Sequence, residues 1–142
     1  MSKHFASAIW NGNLIKGNGH FKLKSGRYEG SYSYTSRFAD DKTSSSPEEL
    51  IGAAHASCFS MALSHVLDQS GFKPETIETE AEVTLTKTGD AFSITEILLK
   101  TKGKVAGIGK ERFLEIANDA KENCPVSKAL KVPVINLIAE LV

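Results

Sequence analysis

The first 35 residues alternate between hydrophobic and polar positions, which predicts short antiparallel strands. Three runs have this pattern and a β-rich composition: residues 5–10, 20–24 and 28–34. Asn11-Gly12-Asn13 and Gly17-Asn18-Gly19 separate them, and such pairs favour hairpin turns because glycine adopts positive φ easily. Residues 36–46 show no periodicity, so we expect a mobile surface loop there.

A long helix is predicted to follow this loop. Ser46 is a suitable N-cap, Pro47 fits the first turn, and Glu49 completes a capping box. The helix is expected to reach Ser70, with Gly71 as the residue after the C-cap. Its length would be about 24 residues, or roughly 36 Å at about 1.5 Å per residue.

The middle of this helix is apolar on nearly every side. One predicted stripe consists of Leu50, Ile51, Ala54, Cys58, Met61, Ala62 and Val66. Phe59, Leu63 and Leu67 lie on the far side. A helix that is apolar all round must be covered all round, so the sequence predicts a central, buried helix.

The second half of the chain combines strands and helices. We predict strands over 77–85, 92–100 and 132–142, and helices over 110–123 and 126–131. Residues 103–109 are glycine-rich, and the longer of these two helices has an amphipathic pattern. The pattern as a whole predicts an α+β fold with antiparallel sheets, in a single domain over residues 1–142.

Charge and composition narrow the function classes. Seventeen basic and 17 acidic residues give a net charge of zero, which argues against a nucleic-acid-binding protein. The first residues have no apolar signal-peptide region, and we expect no membrane-spanning segment. Two cysteines are too few for a disulfide scaffold and lack zinc-finger spacing. These features favour a cytoplasmic protein.

Cys58 lies in the middle of the predicted buried helix, too far from its start to gain from the helix dipole. Such a cysteine is commonly a small hydrophobic core residue. A chemical role needs the thiolate, and lowering its pKa by about three units requires about 4 kcal/mol. Burial acts in the opposite direction, so a nearby cation is needed, and arginine suits best because it stays charged.

Cys124 precedes Pro125, which is placed as the first residue of a short helix. Cys124 would then be the N-cap, beside free backbone N–H groups that lower the pKa of a thiol. The dipole alone supplies only about 0.3–1 kcal/mol. On these grounds both cysteines remain candidates for the thiol that attacks first.

Three motifs resemble one family. Residues 46–64 are similar to the central helix of the OsmC/Ohr hydroperoxide reductases, and Asn123-Cys124-Pro125-Val126-Ser127-Lys128 resembles their second cysteine motif. Thr35-Ser36-Arg37-Phe38 resembles the loop arginine of the OsmC-like branch. The similarity runs in order through nearly the whole chain, and Ser57 is a mild change from the family's alanine.

The resemblance implies a thiol peroxidase that acts mainly on organic hydroperoxides, and more weakly on hydrogen peroxide, in oxidative or osmotic stress defence. Cys58 matches the peroxidatic cysteine and Cys124 the resolving cysteine. Arg37 matches the catalytic arginine, and Glu48 matches the carboxylate that holds it. The implied reaction forms a Cys58 sulfenic acid and then a Cys58–Cys124 disulfide.

The resemblance also implies an OsmC-like fold, in which antiparallel sheets wrap around long central helices of an intertwined homodimer. It implies no cofactor and no metal, and an external dithiol, commonly a lipoyl protein, as the reductant. Glu48 and Cys58 are ten residues apart on one predicted helix, or roughly 15 Å along its axis. One arginine could not easily hold both, so we hypothesise that Arg37 and Glu48 reach Cys58 of the partner chain.

Other interpretations use the same residues. A non-enzymatic ligand- or protein-binding dimer could share the scaffold with silent cysteines. His55 precedes Cys58 by one turn, which allows an acyl-transfer enzyme with a Cys–His pair, or half of a zinc site. We favour a packing or supporting role for His55 and His65. Tyr28, Tyr32 and Tyr34 are interpreted as strand aromatics.

Overall fold

The computed structural model describes residues 1–39 and 41–142, which divide into two compact units, 1–50 and 51–142. The first unit contains an antiparallel sheet in the order β1-β2-β3. Its strands are β1 Ala6–Asn11, β2 Asn18–Leu23 and β3 Glu29–Tyr32. The three predicted strands are therefore confirmed.

The predicted loop over 36–46 is wrong in its first part, because a short helix, α1, covers Tyr34–Phe38. Ser33 is its N-cap: the Ser33 hydroxyl accepts from the Ser36 N–H, and the Ser36 hydroxyl accepts in turn from the Ser33 N–H. These reciprocal bonds satisfy the free donors of the first turn. Residue 40 of the predicted loop lies outside the described residues.

Helix α2 spans Pro47–Gln69, as the capping signals predict. The Ser46 hydroxyl accepts from the Glu49 N–H at 3.1 Å. At the other end, the Phe72 N–H donates to the Leu67 carbonyl, and Gly71 has a φ of +86°. This left-handed residue closes the helix in a Schellman motif, which favours glycine.

Among the residues that the structure describes, only one face of α2 is buried. Phe59, Leu63 and Leu67 are fully buried, whereas Met61 on another face is 75% exposed. The expectation of a helix covered on every side is thus wrong for the single chain. The large side chains of Phe59, Leu63 and Leu67 fill the core, and the other faces of α2 carry smaller or exposed residues. Helix α2 has the length and composition of a membrane-spanning helix, which core helices of soluble proteins also have.

The second unit contains a three-stranded sheet in the order β4-β5-β6, together with two helices. The elements are β4 Pro74–Thr88, β5 Ala91–Val105, α3 Lys110–Asn123, α4 Pro125–Leu130 and β6 Val134–Leu141. Strands β4 and β5 pair antiparallel, but β5 and β6 pair in parallel. The helices between β5 and β6 form the crossover connection that parallel strands need.

The core of this unit lies between the sheet and the helices. Helix α3 buries the residues that its amphipathic pattern predicts: Phe113, Ile116, Ala117 and Ala120. They join the three buried apolar residues of α2 and three residues of β5 in one cluster: Phe59, Leu63, Leu67, Ile97, Leu99 and Val105. The fold is α+β, as predicted. The predicted glycine-rich connection is shorter than expected, because β5 continues to Val105.

Candidate active site

The two cysteines lie side by side in the second unit. Cys58 comes from the middle of α2 and Cys124 from the junction of α3 and α4, and their sulfur atoms are 3.1 Å apart. Both are free thiols. Since a disulfide bond measures about 2.05 Å, a movement of about 1 Å would join the two sulfurs.

The sequence around Pro125 explains how Cys124 is placed. Cys124 is both the C-cap of α3 and the N-cap of α4, and Pro125 is the first residue of α4. Proline cannot continue α3 but is well suited to begin α4. The thiol therefore lies beside the N–H groups of the first turn of α4, as predicted.

The two thiols differ in access and in acidity. Cys58 is partly accessible, whereas Cys124 is fully buried. Burial raises the pKa of the Cys58 thiol, and hydrogen bonding to Cys124 raises it further, against a smaller lowering by the Val126 N–H. Taken alone, the second unit therefore holds the more accessible thiol in its neutral form.

Cys124 is shifted in the other direction. Burial opposes ionisation of the thiol, but the Ser127 N–H, the Cys58 thiol and the Ser127 hydroxyl stabilise the thiolate more strongly. The net result is a lowered pKa for Cys124. This agrees with the prediction from its N-cap position.

His55 is fully buried one turn before Cys58 on α2. Its Nε2 atom lies 2.7 Å from the hydroxyl oxygen of Ser127, so this ring nitrogen contacts Ser127 rather than a thiol. This geometry does not favour the Cys–His pair of an acyl-transfer enzyme. Within residues 1–39 and 41–142, no group of three or more His, Cys, Asp or Glu side chains could hold a metal ion.

The first unit contains the predicted arginine and glutamate in direct contact. Arg37 lies in the last turn of α1, and its Nε and Nη2 donate to Oε1 of Glu48 at 2.9 and 2.7 Å. The Glu48 side chain is 10% exposed and that of Arg37 is 36% exposed. A buried carboxylate thus fixes one edge of the guanidinium, which has five donors in all and leaves others for a ligand.

Arg37 lines a pocket of about 440 Å³ in the first unit. Two pairs of rings form much of its wall: Trp10 with Tyr32, whose centroids are 5.5 Å apart, and Tyr34 with Phe38, at 4.8 Å. The interpretation of the tyrosines as simple strand aromatics is wrong for Tyr34, which lies in α1. A cation beside apolar rings suits a ligand with a polar head and an apolar body.

The structure therefore brings the four predicted residues together as two pairs, Arg37 with Glu48 and Cys58 with Cys124. Their catalytic roles stay predictions. Sequence reasoning missed the pocket rings and Ser127. Ser127 is 72 residues from its partner His55, so no local pattern could have indicated their contact.

This chain is similar to one known family and to a named bacterial protein. The family described as OsmC-like protein matches residues 39–137. The Escherichia coli protein named Peroxiredoxin OsmC is 44% identical over 128 residues, which is 89% of each chain.

Solved structures have a similar fold. The crystal structure of the Organic Hydroperoxide Resistance Protein OhrB of Bacillus subtilis is 28% identical with a TM-score of 0.73, covering 97% of this chain and 98% of that one. An organic hydroperoxide resistance protein from Elizabethkingia anophelis has a TM-score of 0.79 at 22% identity, with 99% of each chain covered. The latter similarity concerns the fold alone.

Proposed function

This chain belongs to the OsmC-like family, and we propose that it is a thiol peroxidase that reduces organic hydroperoxides to alcohols with two cysteines. The observation that carries the proposal is the 3.1 Å contact between two free thiols of unequal access. A pair of this kind can pass from dithiol to disulfide with little movement of the backbone.

The difference in access supports different roles for the two cysteines. Cys58 is the peroxidatic cysteine because a peroxide can approach it, and the fully buried Cys124 is the resolving cysteine. The Cys58 thiolate attacks the terminal peroxide oxygen, the O–O bond breaks, and the alkoxide leaves as an alcohol after taking up a proton. Cys58 becomes a sulfenic acid, and its condensation with Cys124 releases water and forms the disulfide.

Arg37 supplies the positive charge that the Cys58 thiolate needs, and Glu48 holds Arg37 in place. The support comes from the pKa of Cys58, which burial raises, and from the bonded edge of the guanidinium. An arginine directed at the reacting oxygens also stabilises the charge that develops as the O–O bond breaks.

These groups act across a homodimer, in which Arg37 and Glu48 of one subunit serve Cys58 of the other. Glu48 and Cys58 are ten residues apart on the continuous helix α2, or roughly 15 Å along its axis. The exposed face of α2 supports an intertwined homodimer. Ala53, Ala54, Ser57 and Met61 are exposed there, and small residues around a large apolar one suit close packing of a second helix.

The aromatic pocket around Arg37 favours organic substrates over hydrogen peroxide. An alkyl or aryl group gains about 25 cal/mol for each Å² of apolar surface that it buries against such rings, and hydrogen peroxide has no such surface. Hydrogen peroxide is therefore a weaker substrate.

An external dithiol, such as a lipoyl protein, completes the cycle by thiol–disulfide exchange. Two free thiols in contact fit a reducing compartment such as the cytoplasm, where the enzyme serves in oxidative or osmotic stress defence. Residues 1–142 act together as a single OsmC-like domain.

A thiol count tests the two cysteine roles. The protein is mixed with one equivalent of cumene hydroperoxide, and free thiols are counted in wild type, Cys58→Ser and Cys124→Ser. We expect two thiols to disappear per wild-type chain, none rapidly in Cys58→Ser, and one in Cys124→Ser. Equal rates of thiol loss in Cys58→Ser and wild type would reverse the assignment of the two cysteines. No thiol loss in any of the three proteins would contradict the proposed peroxidase function.

A further inference from the structure

The contact between His55 and Ser127 has no role in the chemistry described so far. His55 lies on α2 and is fully buried, and its Nε2 atom is 2.7 Å from the Ser127 hydroxyl oxygen on α4. Within the described part of the chain, the Nδ1 atom of His55 is buried without a hydrogen-bond partner. Buried polar atoms without a partner are rare, so the one hydrogen bond that the His55 ring does make needs an explanation.

The direction of this hydrogen bond follows from burial. Burial lowers the pKa of His55, so the ring is neutral and carries one N–H. An unpartnered N–H in a buried place is rarer and more costly than an unpartnered acceptor. The proton therefore belongs on Nε2, which donates to the Ser127 hydroxyl oxygen, and the Ser127 O–H is left to donate elsewhere.

The second partner of Ser127 is Cys124, three residues earlier at the N-cap of α4. Ser127 is the third residue of α4, one turn from the Cys124 N-cap. Hydrogen bonding from the Ser127 N–H and hydroxyl, together with the Cys58 thiol and the Val126 N–H, lowers the pKa of Cys124 against the effect of burial. With the proton on His55 Nε2, the donors can run in one direction: from His55 Nε2 to the Ser127 oxygen, and from the Ser127 hydroxyl to the Cys124 sulfur.

We propose that His55 and Ser127 are positioning residues for the second step, forming a donor chain that keeps Cys124 ready to attack oxidised Cys58. This rests on the proposed function, because the step exists only if Cys58 becomes a sulfenic acid. In that step the Cys124 sulfur attacks the Cys58 sulfur, the S–S bond forms and the S–O bond breaks. The hydroxide leaves as water with the proton that Cys124 gave up.

Electrons balance without a further oxidant. The hydroperoxide has already taken two electrons from Cys58, and disulfide formation shares this oxidation between the two sulfurs. Ser127 stabilises negative charge on Cys124 until the S–S bond forms. His55 acts through Ser127, because a hydroxyl that accepts one hydrogen bond is polarised to donate a stronger one.

The expected effect concerns the second step alone. Loss of a hydrogen bond to a charged group reduces the thiolate fraction near neutral pH about ten- to a hundredfold. The less acidic thiolate is a better nucleophile, and this recovers about half of the change on a logarithmic scale. We therefore expect disulfide formation to be about three- to tenfold slower in Ser127→Ala.

The experiment follows both steps in one reaction with cumene hydroperoxide. Dimedone traps the Cys58 sulfenic acid, and mass spectrometry measures the Cys58–Cys124 disulfide. Ser127→Ala and His55→Phe remove the donor chain at two points, and Ser127→Thr restores the hydroxyl. Ser60→Ala is the matched control, because the Ser60 hydroxyl donates to Thr79 at 2.8 Å, away from the thiols.

The proposal expects Ser127→Ala and His55→Phe to form the sulfenic acid at the wild-type rate but to give more dimedone adduct and slower disulfide. Ser127→Thr and Ser60→Ala should match wild type. Ser127 is only partly buried, so its alanine variant should fold. Wild-type disulfide rates in folded Ser127→Ala would overturn the donor chain alone. A wild-type protein that forms no disulfide would overturn the proposed function and the donor chain with it.

Discussion

The two compact units of this chain each hold one pair of the candidate residues. The unit of residues 1–50 holds a cation, Arg37, at the wall of an aromatic pocket open to solvent. The unit of residues 51–142 holds two thiols, one partly and one fully buried, against its hydrophobic core. In the proposed function, the first unit binds and polarises the peroxide, and the second unit is oxidised by it.

Because of this difference, the proposed function needs both units. Burial raises the pKa of Cys58, so its thiol is protonated near neutral pH when only its own unit acts on it. A positive charge at about 4 Å contributes about 4 kcal/mol at an effective dielectric constant of about 20. This corresponds to about three pKa units, which opposes the rise that burial causes in the pKa of the Cys58 thiol.

Removal of the Arg37 cation should have the largest effect on peroxidase activity. We expect Arg37→Ala to lower kcat/KM for cumene hydroperoxide about a hundred- to a thousandfold. The positive charge of Arg37 stabilises both the Cys58 thiolate and the transition state, and the variant loses both effects. The rate of Cys58 oxidation, measured by stopped flow, gives the result. Arg112→Ala is the matched control, since Arg112 pairs with Glu115 at 2.6 Å on the exposed side of α3. If Arg37→Ala keeps its activity within threefold of wild type, Arg37 does not take part in the reaction at Cys58.

Mixed dimers test how the two halves are combined. We expect neither Cys58→Ser nor Arg37→Ala to be active alone, but a heterodimer of the two to recover about half of the wild-type activity. One of its two sites would contain both an intact Cys58 and an intact Arg37 from opposite subunits. Purified, doubly tagged heterodimers provide the measurement. No recovery in confirmed heterodimers would indicate that Arg37 serves Cys58 of its own chain.

The secondary structure could be predicted where the sequence repeats a simple period. Helix α3 buries the face that its pattern indicates, and the Cys124-Pro125 junction marks the start of α4. Helix α1 was not predicted because it is only five residues long, and serine rather than glutamate completes its capping box. The parallel pairing of β6 was not specified, because alternation of side chains is the same in parallel and antiparallel strands.

The site was less predictable than the fold. Cys58 and Cys124 have local signals in a helix and a cap, but the importance of Arg37 and Glu48 came from the resemblance to a family. Nothing in a loop sequence indicates which arginine meets a buried carboxylate. The stripe of α2 that is buried in this chain was also not distinguishable, since the helix is apolar nearly all round.

Neutralising the carboxylate that holds the cation should have a smaller effect than removing the cation. We expect Glu48→Gln to lower kcat/KM about tenfold, because the amide oxygen still accepts a hydrogen bond but loses the charge assistance. Steady-state peroxidase kinetics give the result. Glu49→Gln is a close control, since Glu49 is the next residue of the same turn and is exposed. An equal loss in both variants would indicate an effect on the helix start rather than on Arg37.

The smallest expected effect concerns stability rather than activity, and it tests the burial of His55 in the second unit. Burial lowers the pKa of His55 in the folded chain, whereas an unfolded histidine titrates near about 6.5. Between these two values the unfolded state binds more protons, so the free energy of unfolding falls as the pH falls below about 6.5. It levels off below the pKa of the folded state.

Urea unfolding of wild type and His55→Gln at pH 7.5 and 5.5 measures this contribution. We expect the variant to lose less stability over this interval than wild type, because glutamine does not titrate. His65→Gln, which replaces an exposed histidine on the same helix, should keep the wild-type dependence. If His55→Gln loses as much stability as wild type, then His55 is protonated as readily inside the protein as outside it. The neutral, donating imidazole beside Ser127 would then have no basis.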